Sequence, residues 1–484
     1  MNVKIISRNV GSALLVSALF MFFSILVSVA NGNDSALAAL TISFVITFTV
    51  GAFPFIFVRR SGHITLTDGY MIIFLSWLLS FVFGMLPYIL WGGPFSVVNA
   101  WFESVSGFTT TGATILERVE DLPRSLLFWR SSTHFIGGLG IVVFLLLVIP
   151  SSSPVRLRLT NMEVSTLSKE GYAARSNRIV YTFAYVYLGI ALLAFVCYCL
   201  AGMSPFDAIN HAFSVCATGG FSTRTFSIGA FNSDLINVLT ILFMIMASTH
   251  FALIWTAIVT RSLKPFDNPV LKFYYGTLVL ASLAVAVSVK AGGAPIPWSR
   301  ALMESTFQTV CYASTTGFAI ADNSRWPAFA CIVLMYMGVQ CGMAGSTTGG
   351  LKSDRVLMFI KSIIRQVRQS IHPSTVYGVK IGRKTLRDEE LYPHVLYIAV
   401  FFCFIVLSYV ACLICGGGGV NSLAGSVSSL ANIGPALGDL GTWGNYNGEP
   451  AAVKVIYTLD MFLGRIEIYP VLAVLSLLPG LHRR

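Results

Sequence analysis

The chain has 484 residues, of which 55% are hydrophobic and 11% charged, and 32 Lys and Arg against 21 Asp and Glu give a net charge of +11. A soluble domain carries about 25% charged residues, so this composition, with a mean hydropathy of +0.75, excludes a cytosolic enzyme, a nucleic-acid-binding domain and a disordered scaffold. What remains is an all-α polytopic membrane protein whose positive excess marks cytoplasmic loops in a lipid bilayer and no nucleic-acid partner.

At roughly 20 residues per crossing, the apolar runs resolve into spans in chain order. Lys4 and Arg8 precede the run Leu14–Ala30, whose end, Ser28-Val29-Ala30, has the pattern of a cleavable signal. A second run, Ala36–Val58, follows after the turn Asn31-Gly32-Asn33-Asp34 and closes on Arg59-Arg60, so a retained two-helix hairpin is expected. Further spans are expected at Tyr70–Trp91, Leu126–Ile149, Ile179–Leu200, Leu235–Val259 and Phe273–Val289. A long, glycine-interrupted stretch, Phe329–Ile364, comes next, and Leu391–Ile414 and Val453–Leu478 bring the total to ten.

Threading ten spans puts both termini on one side. The loops of that side hold Arg156, Arg158, Lys169, Arg175, Arg178, Arg261, Lys264 and Lys272, and the dense stretch from Lys352 to Arg387. The opposite loops carry only Arg118, Arg124, Arg224, Lys290, Arg300 and Arg325. Both termini are therefore expected in the cytoplasm. The nine cysteines lie mostly inside apolar runs, and the lone CxxC spacing of Cys412 and Cys415 has no second pair, so neither a disulfide framework nor a metal site is inferred.

Four of the connections on the sparsely charged side share one pattern: a moderately apolar stretch too short to span, then small residues ending in glycine. These endings read Thr110-Thr111-Gly112, Ala217-Thr218-Gly219, Thr315-Thr316-Gly317 and Asn432-Ile433-Gly434, and the glycines are separated by 107, 98 and 117 residues. Non-helical backbone at membrane depth is tolerated only where protein or a water-filled cavity satisfies it. Four such loops around an axis set backbone carbonyls at one depth, an arrangement that replaces the hydration shell of a monovalent cation. Glycine opens backbone angles closed to other residues and projects nothing inward.

The motifs at 110–114, 217–223, 315–318 and 432–435 resemble the four filters of the TrkH/KtrB/HKT potassium transporter family. Gly345-Ser346-Thr347-Thr348-Gly349-Gly350-Leu351-Lys352 resembles that family's third-repeat glycine-rich stretch, and Gly464-Arg465-Ile466-Glu467 its fourth-repeat inner helix. The two extra N-terminal helices point to the TrkH branch. The resemblance implies a bacterial inner-membrane homodimer with a two-helix extension (1–60) and four helix–pore loop–helix repeats (61–160, 161–262, 263–380, 381–484) around one central pore. It implies K⁺ uptake, with K⁺ held only at the filter residues, and a cytoplasmic TrkA-type subunit that binds ATP, ADP or NAD. No bound cofactor is implied for the chain itself. In plant relatives a serine at the first filter glycine goes with sodium transport, so Gly112 favours potassium. The chain lacks Thr-Val-Gly-Tyr-Gly, so a moderate K⁺ preference with Rb⁺ also passing is expected.

Below the filter, Gly345, Ser346, Thr347, Thr348, Gly349, Gly350 and Lys352 are expected to form an unwound gate, because each interior glycine costs roughly 1 kcal/mol of helix stability. Arg465 lies deep in the last span, where a charge costs about 2.5–3.5 kcal/mol on the mildest scale, and is expected either to act as a cation barrier in the pore or to pair with Glu467, Asp460 or a neighbouring helix. His134 and His250 each follow Ser-Thr and are expected to pack rather than to bind metal. Glu103 and Glu304 precede filters, where they either concentrate cations or play a plain solvated or helix-start role. A symporter coupling K⁺ to H⁺ or Na⁺ on the same scaffold is the second reading. A nucleophile–base pair, a metal-ligand motif and a phosphate loop are all missing, which argues against an enzyme.

Overall fold

The computed structural model describes residues 2–59, 65–140, 176–375, 377–382 and 384–476. Among them the chain is almost entirely helical, with one small antiparallel hairpin pairing β1 (Val379–Ile381) with β2 (Lys384–Leu386). The expected spans at 141–149 and 477–478 and the basic loop residues Arg156, Arg158, Lys169 and Arg175 lie outside the described residues.

The first helix, Val3–Ala30, and the second, Leu37–Phe57, form a tight hairpin. They cross at two glycines: a Cβ on Gly11 would lie 2.6 Å from the Gly51 carbonyl, and one on Gly51 would lie 3.1 Å from the Gly11 carbonyl. Arg8 donates to the Val58 carbonyl at 2.6 Å, satisfying the end of the second helix. Small residues at such crossings let helices approach in lipid, where apolar burial supplies no drive.

Four units of outer helix, short re-entrant helix and inner helix follow. The outer helices are Leu66–Gly84 continued by Leu86–Trp91, then Ser176–Leu200, Pro269–Ala291 and Asp388–Ile414. The re-entrant helices are Val97–Phe108, Pro205–Cys216, Trp298–Ala313 and Gly419–Ala431. Ser96 and Ser204 cap the first two, each accepting the backbone N–H three residues on. The inner elements are Arg124–Leu139, Asp234–Ser248 with Phe251–Thr260, Ala328–Gln340 with Ser353–Ile371, and Ala451–Ile466 with Ile468–Ser476.

Among the described residues, six helices are long and apolar enough to cross a membrane: the first two and the four outer ones. The expected break in the third inner element is present, but the expectation of continuous helices at Leu235–Val259 and Val453–Leu478 is not met. The second bends by 100° between Ser248 and Phe251, and the fourth turns at Glu467, which takes φ 68°. Neither break has glycine at the turning residue; at the second, His250 Nδ1 accepts the Ala252 N–H at 3.1 Å and starts the second half-helix.

The glycine crossing in the hairpin yields a direct test. Gly11→Val inserts atoms against the Gly51 carbonyl and should destabilise the detergent-solubilised protein by about 1–3 kcal/mol. A thermal midpoint equal to that of the parent chain would contradict this packing.

Candidate functional site: four re-entrant helix ends

All four re-entrant helices end in the same hydrogen-bonded turn. Thr110, Thr218, Thr315 and Asn432 take φ of 54°, 53°, 51° and 55°. Their N–H groups donate back to Gly107, Val215, Tyr312 and Ser429, and the next N–H groups, of Thr111, Gly219, Thr316 and Ile433, donate to Ser106, Ser214, Cys311 and Ser428 at 2.9–3.0 Å. This paired closure is a Schellman turn, normally built on glycine at the left-handed position. Here three threonines and an asparagine hold it, and left-handed backbone costs a non-glycine residue roughly 1–2 kcal/mol.

Two residues further on, Gly112, Gly220, Gly317 and Gly434 take φ of 80°, 84°, 78° and 95°. The register expected for the second motif is therefore displaced by one: the counterpart of Gly112 is Gly220, and Gly219 matches Thr111, Thr316 and Ile433. The two consecutive glycines of that motif made the choice ambiguous in the sequence, and the turn geometry resolves it. Ala217 then corresponds to Thr109 and Ser314, the residue that ends the helix.

The four glycines touch one another's strands in a closed cycle. A Cβ on Gly112 would lie 2.0 Å from the Gly219 carbonyl, on Gly220 2.2 Å from that of Thr316, on Gly317 2.8 Å from that of Ile433, and on Gly434 2.4 Å from that of Thr111. No side chain fits between adjacent strands at any of these positions. The same glycines line one open funnel together with Glu117, Arg224, Thr225, Trp443 and Tyr446, among others.

Side chains tie each strand to its own helix. Ser106 Oγ donates to the Ala113 carbonyl at 2.6 Å, Cys311 Sγ to Phe318 at 2.9 Å, and Ser428 Oγ to Gly434 and Pro435 at 3.0 Å. The Thr111 and Thr316 hydroxyls pair with Thr109 at 2.8 Å and Ser314 at 2.7 Å. Asn432 Nδ2 crosses to Thr111 Oγ1 at 2.9 Å, joining the fourth motif to the first. These fixtures were readable in principle as a Ser, Ser, Cys, Ser series at one offset from the motifs, with Ser214 bonded instead to His134 Nδ1 at 3.0 Å.

Beside the wall residues Thr225 and Arg224, burial alone would raise the carboxyls of Glu120 and Asp207, but hydrogen bonds outweigh it. Thr225 donates to Glu120 from both backbone and hydroxyl, and Thr223 and Ser204 donate to Asp207, with Arg224 adding attraction to both; each carboxyl lies below its ordinary range.

The glycine-rich segment between Gln340 and Ser353 runs along the other side of the four turns. Thr347 Oγ1 donates to the Cys216 and Ala247 carbonyls at 3.1 and 3.2 Å, the Gly349 N–H donates to Thr315 Oγ1 at 3.0 Å, and Gly349 abuts the Ala431 carbonyl. The Met343 N–H takes the Ser248 carbonyl at 3.0 Å, one of the acceptors released by the bend in the second inner element. Gly345 and Gly350 take positive φ, Ser346 and Thr348 pair hydroxyls at 2.9 Å, and Lys352 Nζ donates to the Thr348 carbonyl.

Arg465 reaches into this layer from the last inner helix. Its guanidinium donates to the Thr347 carbonyl at 2.7 Å and to Gly137 and Gly138 at 2.7 and 2.9 Å, so it spans the segment and the end of the first inner helix. The expected partners Glu467 and Asp460 are engaged elsewhere: Glu467 pairs with Arg355 at 2.8 Å, and Asp460 accepts from Ser408. Two further buried cations, Lys454 and Arg130, escaped the sequence reading, and a third, Arg355, expected among the loop charges, is buried as well. Arg355 stacks over Tyr397 at 4.1 Å, Lys454 donates to Asn99 and Asn447, and Arg130 pairs with Glu103 at 2.7 Å. Polar neighbours in the same apolar runs were their only signal.

Glu103 is thus fully buried in an ion pair and does not face the funnel, while Glu304 is held by Arg300 at 2.6 Å. His134 stacks on Phe221 with ring centroids 4.1 Å apart, and His250 packs against Gly345. No group of three or more metal-ligating side chains occurs among the described residues.

The family model for TrkH, a cation transport protein, matches residues 36–480. The chain is 31% identical to the Trk system potassium uptake protein TrkH of Vibrio parahaemolyticus, with 98% of this chain and 99% of the relative covered. It is 30% identical to the protein of the same name from Escherichia coli K12, over the same shares. The crystal structure of the potassium transporter TrkH from Vibrio parahaemolyticus superimposes with a TM-score of 0.89 at 29% identity, covering 100% of both chains. With the four-unit architecture, these matches establish that the chain belongs to the TrkH family of cation transport proteins, which are transporters and not enzymes.

Proposed function

We propose that the chain mediates K⁺ uptake through a gated pore on the axis of the four re-entrant turns. The observation that carries this reading is the closed cycle of glycine-to-carbonyl contacts through Gly112, Gly220, Gly317 and Gly434. The cycle leaves no room for a side chain between adjacent strands and borders the open funnel, which supports a ring of backbone carbonyls as the ion's ligands. Thr110, Thr111, Thr218, Gly219, Thr315, Thr316, Asn432 and Ile433 supply the surrounding carbonyls and hydroxyls, which replace the water shell of a monovalent cation. The potassium uptake named for the relatives agrees with that chemistry.

On the same reading, residues Gly345 to Lys352 form the gate and Arg465 the barrier. A guanidinium bonded to the gate segment both repels cations and latches the segment closed. The helix Ser353–Ile371 carries the gate outward: Lys361 donates to the Lys380 carbonyl at 2.6 Å, and Arg365 pairs with Asp388 at 2.5 Å, so gate, helix and β-hairpin form one connected piece. That basic piece suits docking of a cytoplasmic TrkA-type nucleotide-binding subunit. A homodimer in the bacterial inner membrane, with both termini cytoplasmic, follows from the family likeness and the loop charges.

Four outcomes are expected in proteoliposomes loaded for radiolabelled Rb⁺ uptake. Gly220→Ala, which meets backbone, should cut uptake roughly tenfold, the equivalent of about 1.4 kcal/mol. Gly219→Ala, which meets only the His134 ring, should be rescued by His134→Ala; equal rescue of both variants would refute the register. Arg465→Ala should raise flux, and unchanged or lower flux in folded protein would remove the barrier role. Deleting 345–350 should leave transport constitutively open, whereas a folded deletion that still needs its regulator would exclude the gate.

A further inference from the structure

The residue seven positions before the left-handed turn bonds to the strand that follows the turn in three of the four units, and its chemistry differs each time. In the second unit His211 Nε2 meets Ser222 Oγ at 2.8 Å, and in the third Gln308 Nε2 donates to the Ala321 carbonyl at 3.1 Å. In the fourth the position is Gly425, filled by the Tyr457 hydroxyl. In the first it is Glu103, which accepts Thr114 Oγ1 at 3.0 Å and the Ile115 N–H at 3.2 Å. Only there, among the described residues, is the brace ionic.

Its partner Arg130 comes from the first inner helix. Gly137 and Gly464 occupy equivalent sites, pressed on the carbonyls of Phe108 and Leu430, each two residues before its left-handed turn. Arg130 is therefore the counterpart of Tyr457. Unlike that tyrosine it reaches two strands at once. Nε and Nη2 bind Glu103 Oε1 at 2.8 and 2.7 Å and Nη2 donates to Thr114 Oγ1 at 3.2 Å, all in the first unit. Nη1 donates to the Ser222 carbonyl at 3.4 Å, and the guanidinium lies 3.9 Å over the Phe221 ring, both in the second unit just past Gly220. His134 stacks on Phe221 at 4.1 Å, which sets arginine, phenylalanine and histidine behind the second strand.

Glu103 is 0% and Arg130 1% exposed. Replacing such a buried pair with apolar side chains of similar volume is often neutral or stabilising, so stability alone does not account for its presence. The pair does something packing cannot: it fixes strand two to strand one through directed bonds on a rigid, planar donor. We propose that Glu103 and Arg130 are positioning residues that hold the first and second strands at the separation on which K⁺ discrimination depends, and that loosening this junction admits Na⁺. The inference rests on the pore reading above.

The test is paired radiolabelled Rb⁺ and Na⁺ uptake by proteoliposomes carrying full-length Glu103→Gln, Arg130→Lys or Gly112→Ser. For Glu103→Gln the Na⁺/Rb⁺ uptake ratio should rise roughly fivefold, the worth of about one hydrogen bond, through a gain in Na⁺ entry. Loss of a merely structural contact would lower both ions together. Arg130→Lys keeps the charge opposite Glu103 but loses the fork and the stacking, so it should fold and show the same direction of change; it decides the matter if Glu103→Gln fails to reach the membrane. An unchanged ratio for both variants, or a parallel fall of both ions, overturns the proposal. If Gly112→Ser also leaves the ratio unchanged, the pore reading itself fails; if it raises the ratio while the other two do not, only the brace is lost.

Discussion

The structure depends on one steric constraint: where adjacent re-entrant strands meet, there is no room for a Cβ. Each of Gly112, Gly220, Gly317 and Gly434 lies against the next unit's carbonyl at a distance that a methyl group would violate. Because the contacts close into a cycle, the units cannot shift independently, and the outer and inner helices must hold the strands at that spacing. The left-handed threonines and asparagine that launch the strands are the cost of the arrangement, offset by two backbone hydrogen bonds at each turn.

A second constraint organises the layer on the other side. Every break in an inner helix exposes backbone groups that lipid cannot satisfy. Here the breaks satisfy one another. The carbonyls freed at Ala247 and Ser248 accept from Thr347 and Met343, and the terminal carbonyls at Gly137 and Gly138 accept from Arg465, which also holds Thr347. The ion pair of Arg355 with Glu467 joins the two breaks of the third and fourth units.

Much of this was legible in the sequence, and the residues that were not share a reason. Hydropathy located the N-terminal hairpin and outer helices because their apolar runs are unbroken, and the repeated small-residue endings located the four turns. The one-residue displacement at Gly219-Gly220 was hidden because two glycines in succession satisfy the pattern in either register, and only backbone angles separate them. The bends at His250 and Glu467 were hidden because neither turning residue is glycine or proline. Arg130 was missed, and Arg355 taken for a loop charge, because their partners, Glu103 and Glu467, are 27 and 112 residues away in the chain. Local sequence records a charge in an apolar run but not what neutralises it.

The central claim is that a dehydrated cation is held by the strands that the four glycines keep apart. Anomalous diffraction from crystals of the protein grown in Rb⁺ tests it most directly. The account predicts Rb⁺ density on the axis, equidistant from the carbonyls of Thr111, Gly219, Thr316 and Ile433 and on the funnel side of Thr347 and Arg465. Density confined to the funnel wall near Glu117, or absent from the axis at saturating Rb⁺, would contradict it.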